Sequence, residues 1–119
     1  MKTLCTVRDI NRCIRDFELF FQQKYNLCLN EGMLLCSLRE ATLSSSDLAE
    51  ALGLTNSNTS KVIKSVEEKK LIERALGKED KRQMYFNLTD AGRAKLAELK
   101  KEENQIIELT NKIAGIAKN

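Results

Sequence analysis

Only Gly53 and Leu54 separate two helix-forming segments of this chain. Upstream, Ser44 is placed to cap a helix, and Asp47 completes a Ser-x-x-Asp capping box. Leu48, Ala49 and Leu52 then share one face at helical spacing. Gly53 closes that helix, because a residue without a Cβ enters the left-handed region cheaply. Thr55, directly after Leu54, is a second capping residue. So short a connection forces the two helices to cross steeply, the geometry of a helix-turn-helix.

The second helix of the pair is predicted to bury Thr59, Val62, Ile63 and Val66. Its other face carries Asn56, Ser57, Asn58, Ser60, Lys61, Lys64 and Ser65, with no acid before Glu67. Short hydrogen-bonding groups reach base edges and cations meet phosphates, so this face suits DNA. Next, 71–76 and 83–88 read as two strands around a polar turn, 77–82. A hairpin directly behind such a helix is a wing. Lys78, Lys81 and Arg82 cluster at its tip, beside Glu79 and Asp80, where they suit phosphates or a minor groove. Thr89 then caps a helix beginning at Asp90.

Residues 20–100, and most strongly 43–93, resemble the MarR (multiple antibiotic resistance regulator) family of bacterial transcription regulators. The family pattern L-[ST]-x-x-[DE]-L-A-x-x-L-G-L-[ST] reads here from Leu43 to Thr55, with Ser44 in its [ST] position. Ser57 and Ser60 match a serine-rich recognition helix, and E-x-K-G-L-[IV]-x-R is read over Glu68 to Arg74. Asp80-Lys81-Arg82 matches a D-x-R wing tip, and Leu88 to Gly92 matches L-T-x-x-G. The resemblance implies that Arg82 enters the minor groove and that Asp80 holds it there. Lys70 departs from the pattern, standing where the family usually has glycine to end a helix in the left-handed region.

The expected fold is mainly α with a small β-hairpin wing, a winged helix-turn-helix with terminal helices for dimerisation. The 119 residues suit one domain, with a DNA-binding core at about 30–89 and terminal helices at about 3–25 and 90–117. The absence of proline fits a helical chain. Leu4, Val7, Ile10, Ile14, Phe17 and Phe21 form one apolar stripe, and Leu96, Leu99, Ile106, Leu109, Ile113 and Ile116 form another, interrupted by Glu103. Asn30 is expected to cap a second helix that turns Leu34, Leu35 and Leu38 inward. The terminal stripes either pack on each other within one chain or interlock with a second copy. The two-fold symmetry of DNA readers favours the second. No segment reads as a signal peptide, and Met33 to Cys36 is the longest apolar run, far below the ~20 residues of a membrane span. The expectation is a cytoplasmic protein with no membrane partner.

The four cysteines, Cys5, Cys13, Cys28 and Cys36, include no Cys-x-x-Cys pair, and there is no histidine, so the usual zinc pattern is missing. Some members of the resembled family sense oxidants through a cysteine in the first helix. That makes Cys13, and next Cys5, candidates for redox sensing, against the plainer reading of small buried hydrophobes. No phosphate-binding glycine loop and no histidine-based site is present, so neither an enzyme nor a cofactor is expected. The net charge of +3 says little by itself. The expected partners are double-stranded DNA bearing a palindromic operator, a second copy of the chain, and a small-molecule effector. A protein-interaction module that has lost DNA binding is the alternative. It should display exposed aromatic and apolar groups where this chain displays Asn, Ser and Lys.

Overall fold

The computed structural model describes residues 2–76 and 83–118. The chain divides into two compact units, Met1–Leu29 with Leu99–Asn119, and Asn30–Glu98.

The central unit begins in α2 (Leu29–Ser37), which buries Leu34 and Leu35, and Leu38 just beyond it is buried too. Asn30 does not cap α2, since the helix already starts at Leu29. The N–H of Leu29 instead donates to the Glu18 carboxylate at 3.1 Å. A two-residue strand, β1 (Leu43–Ser44), leads directly into α3 (Ser45–Leu52). The predicted capping box is complete: Ser44 Oγ accepts from the Asp47 N–H, and the Ser44 N–H donates back to Asp47 Oδ2, each at 3.1 Å. Gly53 ends α3 in the left-handed region at φ 67°. After Leu54, Thr55 Oγ1 accepts from the Asn58 N–H at 3.1 Å and starts α4 (Asn56–Glu68).

The hairpin strands are β2 (Ile72–Leu76) and β3 (Met84–Leu88). Their tip, 77–82, lies outside the described residues. β3 is the middle strand of a three-stranded antiparallel sheet in the order β1-β3-β2. Leu43 pairs with Phe86, and Arg74 pairs with Phe86 from the other side. Side chains alternate along β3, so Phe86 and Leu88 are buried while Tyr85 and Asn87 are partly exposed. The core joins Leu48, Ala49, Ile63, Val66, Leu71 and Ile72 to these two. The hydrocarbon removed from water holds the helices on the sheet, at about 25 cal/mol per Å².

The sheet passes into α5 (Asp90–Leu99) through Thr89, whose Oγ1 accepts from the Gly92 N–H at 3.0 Å. The Thr89 N–H donates to the Leu71 carbonyl at 3.1 Å. Gly92 lies over that same carbonyl: a Cβ there would sit 2.0 Å from Leu71 O. Glycine is required at this close approach, not for a turn.

In the terminal unit, α1 (Lys2–Tyr25) packs against α6 (Glu103–Lys118). A short 3-10 turn, Lys100–Glu102, breaks the C-terminal stripe before α6. The break falls one residue ahead of Glu103, and Glu103 itself opens α6. Glu102 is the acid turned inward, with a side chain 5% exposed. Among the described residues, no helix is long and apolar enough to cross a membrane.

Candidate nucleic-acid interface

The exposed face of α4 is assembled by its cap and its apolar stripe. Thr59, Ile63 and Val66 are buried, and Val62, expected among them, is half-buried. With that stripe fixed, helical periodicity turns Asn56, Ser57, Asn58, Ser60, Lys61 and Lys64 outward, and all six are exposed. The hydroxyls of Ser60 and Thr59 donate back to the carbonyls of Asn56 and Thr55 at 3.0 and 2.8 Å. The Asn56 and Asn58 amides and the two ammonium groups extend outward beside them. The α4 surface thus carries donors, acceptors and positive charge, and no carboxylate until Glu67.

Two residues read from the sequence as part of this face lie elsewhere. Ser65 is half-buried, and its Oγ donates to Glu31 Oε2 at 2.9 Å. Its position one step off the exposed strip turns it toward α2. Ser44 is 4% exposed, and its hydroxyl is engaged in the α3 cap. Lys78, Asp80, Lys81 and Arg82 fall outside the described residues.

Two carboxylates that sequence reasoning passed over shape this region. Glu31, 5% exposed, also takes Lys69 Nζ at 2.9 and 3.1 Å. Glu67 forms a two-bond pair with Arg74 of β2, at 2.8 Å to Nε and 3.2 Å to Nη2. That bond and the neighbouring negative charge raise the Arg74 pKa above its ordinary value. The pair lines a cleft of about 360 Å³ together with Ser45, Ser60, Ile63, Lys64, Met84 and Phe86, between α4, the start of α3 and the hairpin strands.

In the terminal unit, Glu102 accepts hydrogen bonds from Lys24 Nζ and, at 2.6 Å, from Tyr25 Oη. The Lys24 bond first and the Tyr25 bond second hold the Glu102 carboxyl below the usual carboxylate range, against the opposing effect of burial. The same carboxylate raises Lys24. Of the two cysteine candidates, Cys5 is exposed and Cys13 is half-buried, in a shallow groove of about 340 Å³ with Phe17, Phe20 and Leu109. Apolar surface remains open on these helices at Leu4, Val7, Ile14, Leu19, Ile106 and Ile107.

A sequence model of the MarR family matches residues 32–83. Comparison with curated proteins finds no match. Among solved structures, the Staphylococcus aureus MepR–DNA complex is 21% identical, with a TM-score of 0.75, over 92% of this chain and 80% of that one. Bordetella bronchiseptica BpsR is 21% identical, with a TM-score of 0.76, over 97% of this chain and 86% of that one. AbsC, a MarR family transcriptional regulator from Streptomyces coelicolor, is 23% identical, with a TM-score of 0.76, over 93% and 75%. The fold is that of a MarR-type winged helix.

The MarR pattern read from the sequence acquires physical reasons here, and one adjustment. E-x-K-G-L-[IV]-x-R spans eight positions and so begins at Glu67, not Glu68; Glu67 is the acid that pairs with Arg74. Its glycine position is Lys70, which takes φ 62° in the left-handed region. The L-T-x-x-G element supplies the Thr89 cap and the Gly92 approach to Leu71. Motif positions within the described residues thus cap or end helices, pair Glu67 with Arg74, fill the core as Leu48 and Leu71 do, or make room for backbone.

Proposed function

We propose that this chain is a DNA-binding transcription regulator, acting as a homodimer on a palindromic site. One observation carries the reading. The face that a helix-turn-helix presents to the major groove is covered by Asn56, Ser57, Asn58, Ser60, Lys61 and Lys64, all exposed and free of acids. Asparagine can pair bidentately with adenine and lysine can donate to guanine, while serine adapts to either. No aromatic side chain stands on this face, which disfavours the alternative of a protein-docking module. The solved structure of the similar MepR is a complex with DNA, in keeping with this role.

The second copy is proposed from the terminal unit. Leu4, Val7, Ile14, Ile106 and Ile107 are 40% to 59% exposed, an apolar surface that a two-fold partner would cover. We further propose a repressor released by a small ligand or an oxidant. BpsR, whose DNA binding is regulated by 6-hydroxynicotinic acid, supports the first route by analogy. Cys13, beside Phe17 and Leu109, supports the second by its place on α1. The residues proposed to meet DNA are those six of α4 together with Lys78, Asp80, Lys81 and Arg82 of the wing tip, and the site of action is the cytoplasm.

Selection of binding sites from a random duplex pool tests the main reading. The expected product is a palindrome with half-sites centred about 10 base pairs apart. Recovery of no enriched motif, with no salt-dependent binding to mixed duplex, would remove it.

A further inference from the structure

We propose that Glu31 is a positioning residue for the DNA-reading helix. The inference rests on the proposed function. It concerns a carboxylate that touches no part of the exposed α4 face. Glu31 stands in the first turn of α2 and is 5% exposed. Its Oε2 accepts from Ser65 Oγ at 2.9 Å, and its two oxygens accept from Lys69 Nζ at 2.9 and 3.1 Å. Ser65 and Lys69 are four residues apart, one above the other along a single line of the helix and its cap.

That geometry does what the apolar stripe cannot. Burial of Thr59, Ile63 and Val66 decides which side of α4 faces inward. Apolar attraction is non-directional, so it constrains small rotations and slides of the helix less sharply than directional bonds do. Three directional bonds, one from Ser65 and two from Lys69, tie two points on the same line to one buried carboxylate and restrict both freedoms. A rotation of α4 about its axis carries Ser65 and Lys69 away from Glu31 together, and a slide along the axis lengthens the bond to one of them. A buried carboxylate is costly unless paired and hydrogen-bonded, and both conditions hold here. Such a group contributes less to stability than a well-packed apolar one does, and more to a single arrangement.

The opposite end of α4 carries Asn56 and Asn58, whose base contacts tolerate errors of only a fraction of an ångström. Any rotation at Ser65 is transmitted along a 13-residue helix to those amides. Glu31 therefore acts on specificity without touching a base, and Lys69 is a structural cation, not a phosphate contact.

Glu31→Gln keeps the shape and the Ser65 bond while removing the charge that holds Lys69. The selected site should be bound about tenfold more weakly, non-specific duplex nearly as before, and the log–log salt slope should be unchanged because no phosphate contact is lost. Hydrogen exchange on the free protein should rise over 56–68 and stay level over 45–52. Ser65→Ala and Lys69→Met should each give part of both effects, and they judge the proposal if Glu31→Gln does not fold. Unchanged exchange in α4, or an unchanged ratio of specific to non-specific binding, overturns it. Should the wild type bind no DNA, the functional reading fails, and the exchange measurement still decides whether Glu31 sets the helix.

Discussion

Thr89 Oγ1 donates to the Lys70 carbonyl at 2.7 Å, clasping the residue that ends α4 to the residue that starts α5. The same oxygen caps α5 by accepting the Gly92 N–H. Lys70 is held at φ 62°, where a side chain crowds its own backbone at a cost of about 1–2 kcal/mol. Lys70→Gly should therefore raise stability by about 1 kcal/mol, even though glycine makes the unfolded chain more flexible. Urea unfolding measures it; a lower midpoint for the variant would mean that the position is unstrained.

Gly92 admits no larger residue. Gly92→Ala would put a Cβ 2.0 Å from the Leu71 carbonyl oxygen and push α5 off the sheet. The expected loss is about 3 kcal/mol, the upper end of overpacking costs. Thr89→Ala, which removes the α5 cap and the bond to the Lys70 carbonyl, should cost about 2 kcal/mol. Thermal melts of the two variants should rank them in that order.

The Glu102 cluster predicts a pH dependence. Its carboxyl titrates lower in the folded chain than in the unfolded one, because Lys24 and then Tyr25 donate to it. The folded state thus binds fewer protons, and the contribution is present above about pH 4.3 and lost as pH falls through the folded value. Lys24 is raised by the same bond, so its contribution is full below about pH 10.4 and is lost as pH rises through its raised value. Glu102→Gln should melt lower than the wild type at pH 7, with the gap closing toward pH 3. A gap of constant size across that range would show that the charge is irrelevant.

Asn58 and Lys64 should separate specificity from affinity. Asn58→Ala should relax one base position per half-site, costing about 1–3 kcal/mol at the preferred base. Lys64→Ala should weaken all sequences alike and reduce the salt slope by about 1 for each copy. Site selection and salt titration on both variants check this. An unchanged motif for Asn58→Ala would move base reading to other residues.

Leu109→Asp should place a charge on the α6 side of the groove it shares with Cys13 and Phe17. Light scattering is expected to give a dimer for the wild type at micromolar concentration and monomers or aggregates for this variant. A monomeric wild type would leave the apolar terminal helices without their proposed cover.

What was legible in the sequence was local. The Ser44–Asp47 box, Gly53 and the Thr55 and Thr89 caps each depend on residues three or four apart, and each stands as read. What escaped depends on distant partners. β1 is two residues long and exists because Phe86 and Tyr85 pair with it. Glu31 and Glu102 look like ordinary surface acids until Ser65, Lys69, Lys24 and Tyr25 fold against them, 34 to 78 positions away. Asn30 lies inside α2 and not before it, because the helix starts a residue earlier, at Leu29, whose N–H is met by Glu18. Ser65 lies at the edge of the exposed strip, and helical spacing alone does not say that Glu31 stands beside it.

Ser44 is both the last residue of β1 and the cap of α3, and β1 pairs with the strand that returns from the wing. Ser44 therefore joins the helix pair to the hairpin strands, alongside the Glu67–Arg74 pair between α4 and β2. If the chain docks on DNA as proposed, the helix pair and the hairpin strands would arrive as one body, and the loss of orientational freedom would be incurred once for both. A wing hung on a loose tether would suffer it twice.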